Sequence, residues 1–287
     1  MPGEVELPLS LKDRAEDTIA LAFYRTLLEA PESLLAVKHS FYFNETYGES
    51  PSDRAFVDLV PDEGLRAEIL RHLDDEVRHA SLWRDYLEPR GEMPEDDDAL
   101  PFGDFVGMLE AAGWFPVVGR ARSGEALSDD ELMAFFAAVH VVETQAVRQM
   151  LLFRKVLRSR GEEDLVRLLT DILGDEGRHM SYSKRGLFQV AARRGAAGER
   201  EAKRLLKTAF TAFLRLRAGD MQKLLAYVRA HDWERLSLKH RMKLKGLEAA
   251  MRVMPTLVPG PDGKARVDAK GPVPSREPVD TARRHAA

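Results

Sequence analysis

The sequence predicts an all-α protein, a helical bundle around one main core, and three observations carry that prediction. Apolar residues recur at the three-and-four spacing of amphipathic helices through most of the first 254 positions. Helix start and stop signals, among them Asp62, the Ser128/Glu131 pair and Gly161, punctuate those segments. Finally, the string Asp75-Glu76-Val77-Arg78-His79 returns a hundred positions later as Asp175-Glu176-Gly177-Arg178-His179, each copy inside a helical stretch.

Taken in order, Leu11 to Leu28 and Ser33 to Gly48 read as two amphipathic helices interrupted at Pro31. Asp62 is placed to cap a helix running to about Leu87. Residues 88–127 open with Glu88-Pro89-Arg90-Gly91, pass Asp96-Asp97-Asp98 and a short apolar stretch from Phe102 to Ala112, and read as a long crossover joining two halves. Ser128 and Glu131 form a capping-box pattern opening a helix to about Arg160, and the next helix spans about Glu162 to Arg194. Two further helices, about Arg200 to Ala230 and Trp233 to Val253, put Leu205, Leu206, Phe210, Phe213 and Leu214 on one broad face and many Lys and Arg on the other. Residues 255–287 are rich in Pro, Gly and charge, which predicts a disordered or surface-draped tail after a helical domain spanning 1–254.

Positions three apart share a helix face, so Glu76 and His79 aim a carboxylate and an imidazole at one spot, as do Glu176 and His179. Both faces are otherwise apolar: Ile69, Leu73, Ala80 and Trp83 flank the first pair, with His72 the only other polar member, and Leu169, Ile172, Leu173 and Met180 flank the second. A carboxylate on an apolar stripe needs a compensating partner, and a bound cation supplies one.

A two-metal site needs further carboxylates. Glu143 sits on a face of Phe136, Val139, His140, Ala146, Val147 and Met150. A turn at Gly161 would bring it level with Glu176, because equal arms on either side of a hairpin place their centres side by side. In the first half the matching candidate is Glu45, within Phe41-Tyr42-Phe43-Asn44-Glu45-Thr46-Tyr47, close to a helix end because Gly48 and Pro51 follow; Glu29 and Glu32 are the fallback positions. The aromatic residues around Glu45 read as core, with a cavity wall or electron relay as the alternative.

One Glu from each of two helices plus Glu-x-x-His from each of two others resembles the ferritin-like di-iron carboxylate superfamily over roughly residues 32–190. With Asp directly before each Glu and Arg before each His, the motif looks most like the oxygen-activating branch that includes bacterial multicomponent monooxygenases. The resemblance implies a ferritin-like four-helix bundle with extra N- and C-terminal helices and two iron ions, manganese or a mixed pair being compatible. Glu45, Glu76, His79, Glu143, Glu176 and His179 would be the ligands, with Glu76 and Glu176 bridging. It further implies that Asp75 and Asp175 orient His179 and His79 across the bundle, and that Arg78 and Arg178 neutralise nearby carboxylates.

His72 completes a His-x-x-x-Glu-x-x-His run similar to that of arylamine N-oxygenases, which carry it on the last ligand helix; here Ile172 stands at the equivalent place. His140 lies three before Glu143 on the same face. For each, a third-histidine ligand stands beside the reading of a supporting or satisfied core histidine. His39, His231, His240 and His285 have no ligand-like setting in the sequence.

The implied activity is oxidation of a small organic substrate by dioxygen, by hydroxylation, N-oxygenation or desaturation. The alternatives are a ferroxidase and a metal-free structural bundle. Length favours an enclosed organic pocket over simple iron storage, and the extra helices would wall that pocket or form a homodimer interface. The chain holds 287 residues, 44% hydrophobic and 31% charged, at net charge −4 with no cysteine. That composition predicts a soluble, cytoplasmic protein, and the missing thiolates exclude disulfides and a rubredoxin-type iron centre, so electrons come from a separate donor or the substrate. No long apolar run or charged-then-apolar leader predicts a membrane role. The Lys/Arg stripe between Lys203 and Lys245 reads as a solvated helix surface rather than a nucleic-acid interface, although a bacterial tRNA hydroxylase family shares the implied architecture.

Overall fold

The computed structural model describes residues 11–46, 54, 56–94, 124–231 and 233–253. Its main helices are α1 (Leu11–Leu27), α2 (Pro31–Glu45), α3 (Glu63–Leu87), α4 (Asp129–Arg158), α5 (Glu163–Ala192), α6 (Gly195–His231) and α7 (Leu238–Val253). No strand occurs among the described residues. The expected crossover is described only at its two ends, and the expected tail lies outside the described residues. No described helix is long and apolar enough to cross a membrane.

Local chemistry explains the boundaries. Helix α2 begins on Pro31 rather than Ser33, because a proline's missing N–H is no loss in a first turn, and Ala30 before it is extended. Asp62 caps α3 by accepting from the Leu65 amide at 3.0 Å. The capping box of α4 is complete: the Ser128 amide donates to Glu131 Oε2 at 2.8 Å, and the Glu131 amide donates to Ser128 Oγ at 3.4 Å. Gly161, at φ 76°, makes the left-handed turn that lets α5 fold back along α4.

Two expected boundaries shift. Helix α6 opens at Gly195 rather than about Arg200, since Gly198 serves a tight turn against α5 instead of breaking the helix: a Cβ built there would stand 2.1 Å from the Ala191 carbonyl oxygen. The segment from Trp233 is a 3-10 turn, Trp233–Arg235, followed by α7. Helix α7 starts at Leu238 because Ser237 Oγ accepts from the His240 amide at 3.2 Å.

Helices α2, α3, α4 and α5 form the part of the bundle that matters for the site. Side-chain pairs fix their directions. Lys38 meets Glu92 while Glu45 meets His79, so α2 and α3 are antiparallel. Glu68 pairs with Arg185 and Arg90 with Asp164, so α3 and α5 are antiparallel too. Asp129 pairs with Arg193 at one end of the α4/α5 hairpin, and Arg154 with Thr170 toward the other. Helix α1 joins α4 through Tyr24 and Gln149, and α7 joins the end of α1 through Glu29, which takes both His240 and Lys243.

The apolar interior is divided in two. One cluster gathers Phe41 and Phe43 of α2, Trp83 of α3, Met150 and Phe153 of α4 and Ile172 of α5. The other gathers Ile69 and Leu73 of α3, Phe136 and Val139 of α4 and Tyr182 and Leu187 of α5. On α3, α4 and α5 the change from one cluster to the other brackets Glu76 and His79, Glu143, and Glu176 and His179, while His72 lies between Ile69 and Leu73 of the second cluster.

Gly198→Ala is expected to lower folding stability by about 1–3 kcal/mol, the usual range for forcing an extra carbon into a packed contact. A urea titration followed by far-ultraviolet circular dichroism checks this; an unchanged midpoint would show that the α5/α6 turn relaxes freely.

Candidate metal centre

Four carboxylates and three imidazoles meet where the two apolar clusters adjoin. Glu45 comes from the last residue of α2, His72, Glu76 and His79 from α3, Glu143 from α4, and Glu176 and His179 from α5. All seven are at most 5% exposed. They fall into two overlapping groups, His72–Glu76–Glu143–His179 and Glu45–Glu76–His79–Glu176, in each of which one donor atom per residue lies within 4.8 Å of the others. Such buried His/Glu groups can hold metal ions.

Glu76 belongs to both groups, and its Oε1 lies 3.1 Å from His72 Nε2, 3.3 Å from His179 Nδ1 and 3.8 Å from His79 Nδ1. Glu176 spans the site with two different oxygens: Oε2 is 3.1 Å from His179 Nδ1 and Oε1 is 3.6 Å from His79 Nδ1. Glu45 Oε2 lies 3.1 Å from His79 Nδ1, and Glu143 Oε1 lies 3.0 Å from His72 Nε2. Proximity to a helix end therefore does not keep Glu45 away from the cluster. Of its fallbacks, Glu29 points away to α7, and the Glu32 side chain lies outside the described residues.

Both motif histidines turn Nδ1 toward the carboxylates and Nε2 toward an aspartate on the opposite helix. His179 Nε2 lies 3.1 Å from Asp75 Oδ2, and His79 Nε2 lies 3.5 Å from Asp175 Oδ2. Each Asp is in turn paired with the other motif's arginine: Asp75 with Arg178, and Asp175 with Arg78. Arg178 also donates to Asp175 Oδ1 at 3.0 Å, so one guanidinium ties both aspartates together. An aspartate in this position favours the tautomer that leaves Nδ1 free to bind a cation.

His72 lies inside the first group with Nε2 turned inward, while its Nδ1 is 2.5 Å from the Tyr182 hydroxyl. His140 belongs to neither group: its Nδ1 lies 3.1 Å from the Met180 carbonyl oxygen. Among the remaining histidines, His39 contacts the Glu92 carbonyl oxygen and His240 contacts Glu29. His231 is described in its backbone alone, and His285 lies outside the described residues. Tyr182 was not singled out in the sequence, although its place three after His179 puts it on the same helix face.

The electrostatics show how poorly this interior tolerates its own charges. Burial, followed by the charge of Glu76, pushes the Glu45 carboxyl up to about 8. Burial and then the charges of Glu143 and Glu76 hold the Glu176 carboxyl well above the carboxylate range. Burial would also raise Glu76, but hydrogen bonds from His72 and His79 pull it well below its ordinary value. Burial opposes a charge on His79, yet its hydrogen bonds with Glu45 and Glu76 raise it to about 9. The site without cations thus compensates by retaining protons. A bound cation would relieve the same cost.

No protein-family model, curated protein or solved structure matches the chain.

The metal-free protein is expected to lose thermal stability as pH rises from 6.5 to 9. Glu45, at about 8 against an ordinary 4.5, and His79, at about 9 against 6.5, both bind protons more tightly when folded. Their stabilisation is full below the unfolded values and is lost as pH passes through the folded ones. Saturating Mn2+ should flatten the decline by replacing those protons. Melting curves of metal-stripped and loaded protein across this range test the expectation, and a metal-free melting temperature that is constant or rises would contradict it.

Proposed function

We propose that the chain is an oxygen-activating oxidoreductase with a di-metal carboxylate centre of ferritin-like type, acting on a small organic substrate. The observation that carries this reading is the pairing of two overlapping His/Glu groups with a crossed His–Asp–Arg arrangement on each side. Seven buried donors exceed what one cation needs, and the shared Glu76 suits two cations held close together.

In this reading Glu45, Glu76, Glu143 and Glu176, with His79 and His179 through Nδ1, would hold the two metals. Two divalent irons bound there would supply electrons and open coordination positions for dioxygen; manganese or a mixed pair fits the same donors. The protein's own contribution is to hold those donors rigidly and keep water out. Asp75, hydrogen-bonded to His179 Nε2, would keep the proton on that nitrogen, and Arg178 with His179 holds the Asp75 carboxyl below its ordinary value against the opposing effect of burial; Asp175 stands 3.5 Å from His79 Nε2 in the matching place. Phe41, Trp83 and Phe153 on one side and Phe136 and Tyr182 on the other exclude solvent from the cluster. With no cysteine in the chain to build a thiolate iron centre, the electrons for such chemistry would have to come from a separate donor or from the substrate.

Loading the metal-stripped protein with Fe(II) under anaerobic conditions should leave about two tightly held metals per chain, a stoichiometry expected from the paired donor groups. Replacing Glu76 and Glu176 together by Ala should abolish retention, and full occupancy in that variant would sink the assignment. Asp75→Asn should keep the fold and weaken metal affinity by roughly 10–100-fold, the usual effect of removing a ligand histidine's hydrogen-bond partner. Oxygen uptake that needs a reductant and leaves metal bound supports an oxygenase or oxidase. Uptake in proportion to added Fe(II), ending in mineral, would mean a ferroxidase, and no metal retention in any state a structural bundle.

A further inference from the structure

We propose that the two metal positions are unequal, and that His72, held by Tyr182, makes the position beside Glu143 the nitrogen-richer and tighter of the two. The inference rests on the two-metal reading and adds to it an order of filling and a preference between cations.

The two groups differ in donor chemistry. The group on the Glu143 side offers two imidazoles and two carboxylates, from His72, His179, Glu76 and Glu143; the other offers one imidazole and three carboxylates, from His79, Glu45, Glu76 and Glu176. Imidazole favours cations late in the first transition row, whereas an oxygen-rich set suits Mn2+ and other harder ions. Nothing in the Glu-x-x-His repeat itself would create such a difference, since each copy supplies one Glu and one His.

The difference comes from one pair of residues that occurs only once. In the hundred-position offset relating the two motifs, His72 corresponds to Ile172 and Tyr182 to Leu82. His72 and Tyr182 touch across α3 and α5, with His72 Nδ1 2.5 Å from the Tyr182 hydroxyl. Their counterparts Ile172 and Leu82 both join the apolar cluster on the other side of the site. A polar pair on one side thus stands where an apolar pair stands on the other. Other positions flanking the five-residue string differ between the halves as well, such as Trp83 and Ser183; this pair is set apart by the contact of its two members across α3 and α5 beside the cluster.

The geometry supports that task. His72 Nε2 lies 3.0 Å from Glu143 Oε1 and 3.1 Å from Glu76 Oε1, and the His72 and His179 rings are 4.0 Å apart, so both imidazoles border one small volume. For Nε2 to bind a cation, Nδ1 carries the ring proton and donates it to the Tyr182 oxygen. Tyr182 is fully buried, which fixes the ring's direction more firmly than a water molecule would. Tyr182 is therefore a positioning residue acting through His72.

Titration of the metal-free full chain with Co2+, followed by visible absorption and calorimetry, tests the proposal. The native protein should bind two Co2+ in resolved steps. His72→Gln should weaken the tighter step and leave the weaker one in place. Tyr182→Phe should weaken the same step by roughly 10–100-fold, as loss of a ligand's hydrogen-bond partner does elsewhere. Glu45→Gln should do the reverse, weakening the second step and sparing the first. Thermal melts of the metal-free variants identify any that fail to fold, and the Glu45 and Tyr182 variants give independent answers if one is lost. Two indistinguishable steps in the native protein, or variants at 72 and 182 that weaken both steps equally, would overturn the inference while leaving the two-metal reading intact. Absence of Co2+ binding in the native protein would overturn both.

Discussion

Everything in this bundle is arranged around the cost of placing seven ionisable side chains in a dry interior. A buried carboxylate without a partner is far more expensive than any one helix contact is favourable, so the cluster exists only because each member is compensated by another. The helices meet that demand by dividing the apolar core. Apart from His72, the cluster residues on α3, α4 and α5 lie between one apolar region ending near Phe41, Trp83 and Ile172 and another beginning near Leu73, Val139 and Tyr182. Those two regions supply the hydrophobic drive for folding, and in the polar belt between them each carboxylate of the cluster faces at least one imidazole.

That register is enforced at the edge of the belt by charges that are partly exposed. Arg178 pairs with Asp75 and Arg78 with Asp175, each motif's arginine serving the other motif's aspartate. A slip of α3 against α5 by one turn would separate both pairs and leave His179 and His79 without their aspartates. Surface ion pairs usually contribute little, but here they sit directly behind buried imidazoles, so their geometry controls which ring nitrogen faces the carboxylates.

Much of this was legible in the sequence because helical spacing is a strong signal. The Glu-x-x-His pairs, the lone Glu143 and the capping signals at Asp62 and Ser128 all follow from which positions share a face or favour a helix start. The crossed placement of Asp75 by His179 and Asp175 by His79 has no signal in helical spacing; in the structure Asp75 lies 3.1 Å from His179 Nε2 and Asp175 3.5 Å from His79 Nε2. Less legible were features that depend on tertiary distance. Glu45 reads as a weak candidate because it ends its helix, yet the antiparallel crossing of α2 and α3 brings that end to the site. His72 and His140 look alike in sequence, each near a Glu on an apolar face, and only packing separates them: His72 points into the cluster while His140 spends its Nδ1 on the Met180 carbonyl. The start of α6 is hidden for a similar reason, since a glycine needed for close packing, as Gly198 is, and one that ends a helix look the same from sequence.

The repeat also makes its own exceptions visible. Where two halves use the same five residues for the same geometry, a position that differs between them needs a separate reason. At Arg78 and Arg178 the residues match while their contacts differ slightly, with Arg178 reaching both aspartates. At His72 and Tyr182 the residues themselves differ from Ile172 and Leu82, and they differ as a contacting pair. Burying a third imidazole in this cluster is unfavourable unless both of its nitrogens find partners, and here the Tyr182 hydroxyl and the Glu76 and Glu143 carboxylates provide them. Changing either residue alone would remove one partner from a polar atom of the other in the core, so neither can be altered without a cost at its neighbour. The difference in donor composition between the two groups is therefore a property of a pair rather than of one histidine.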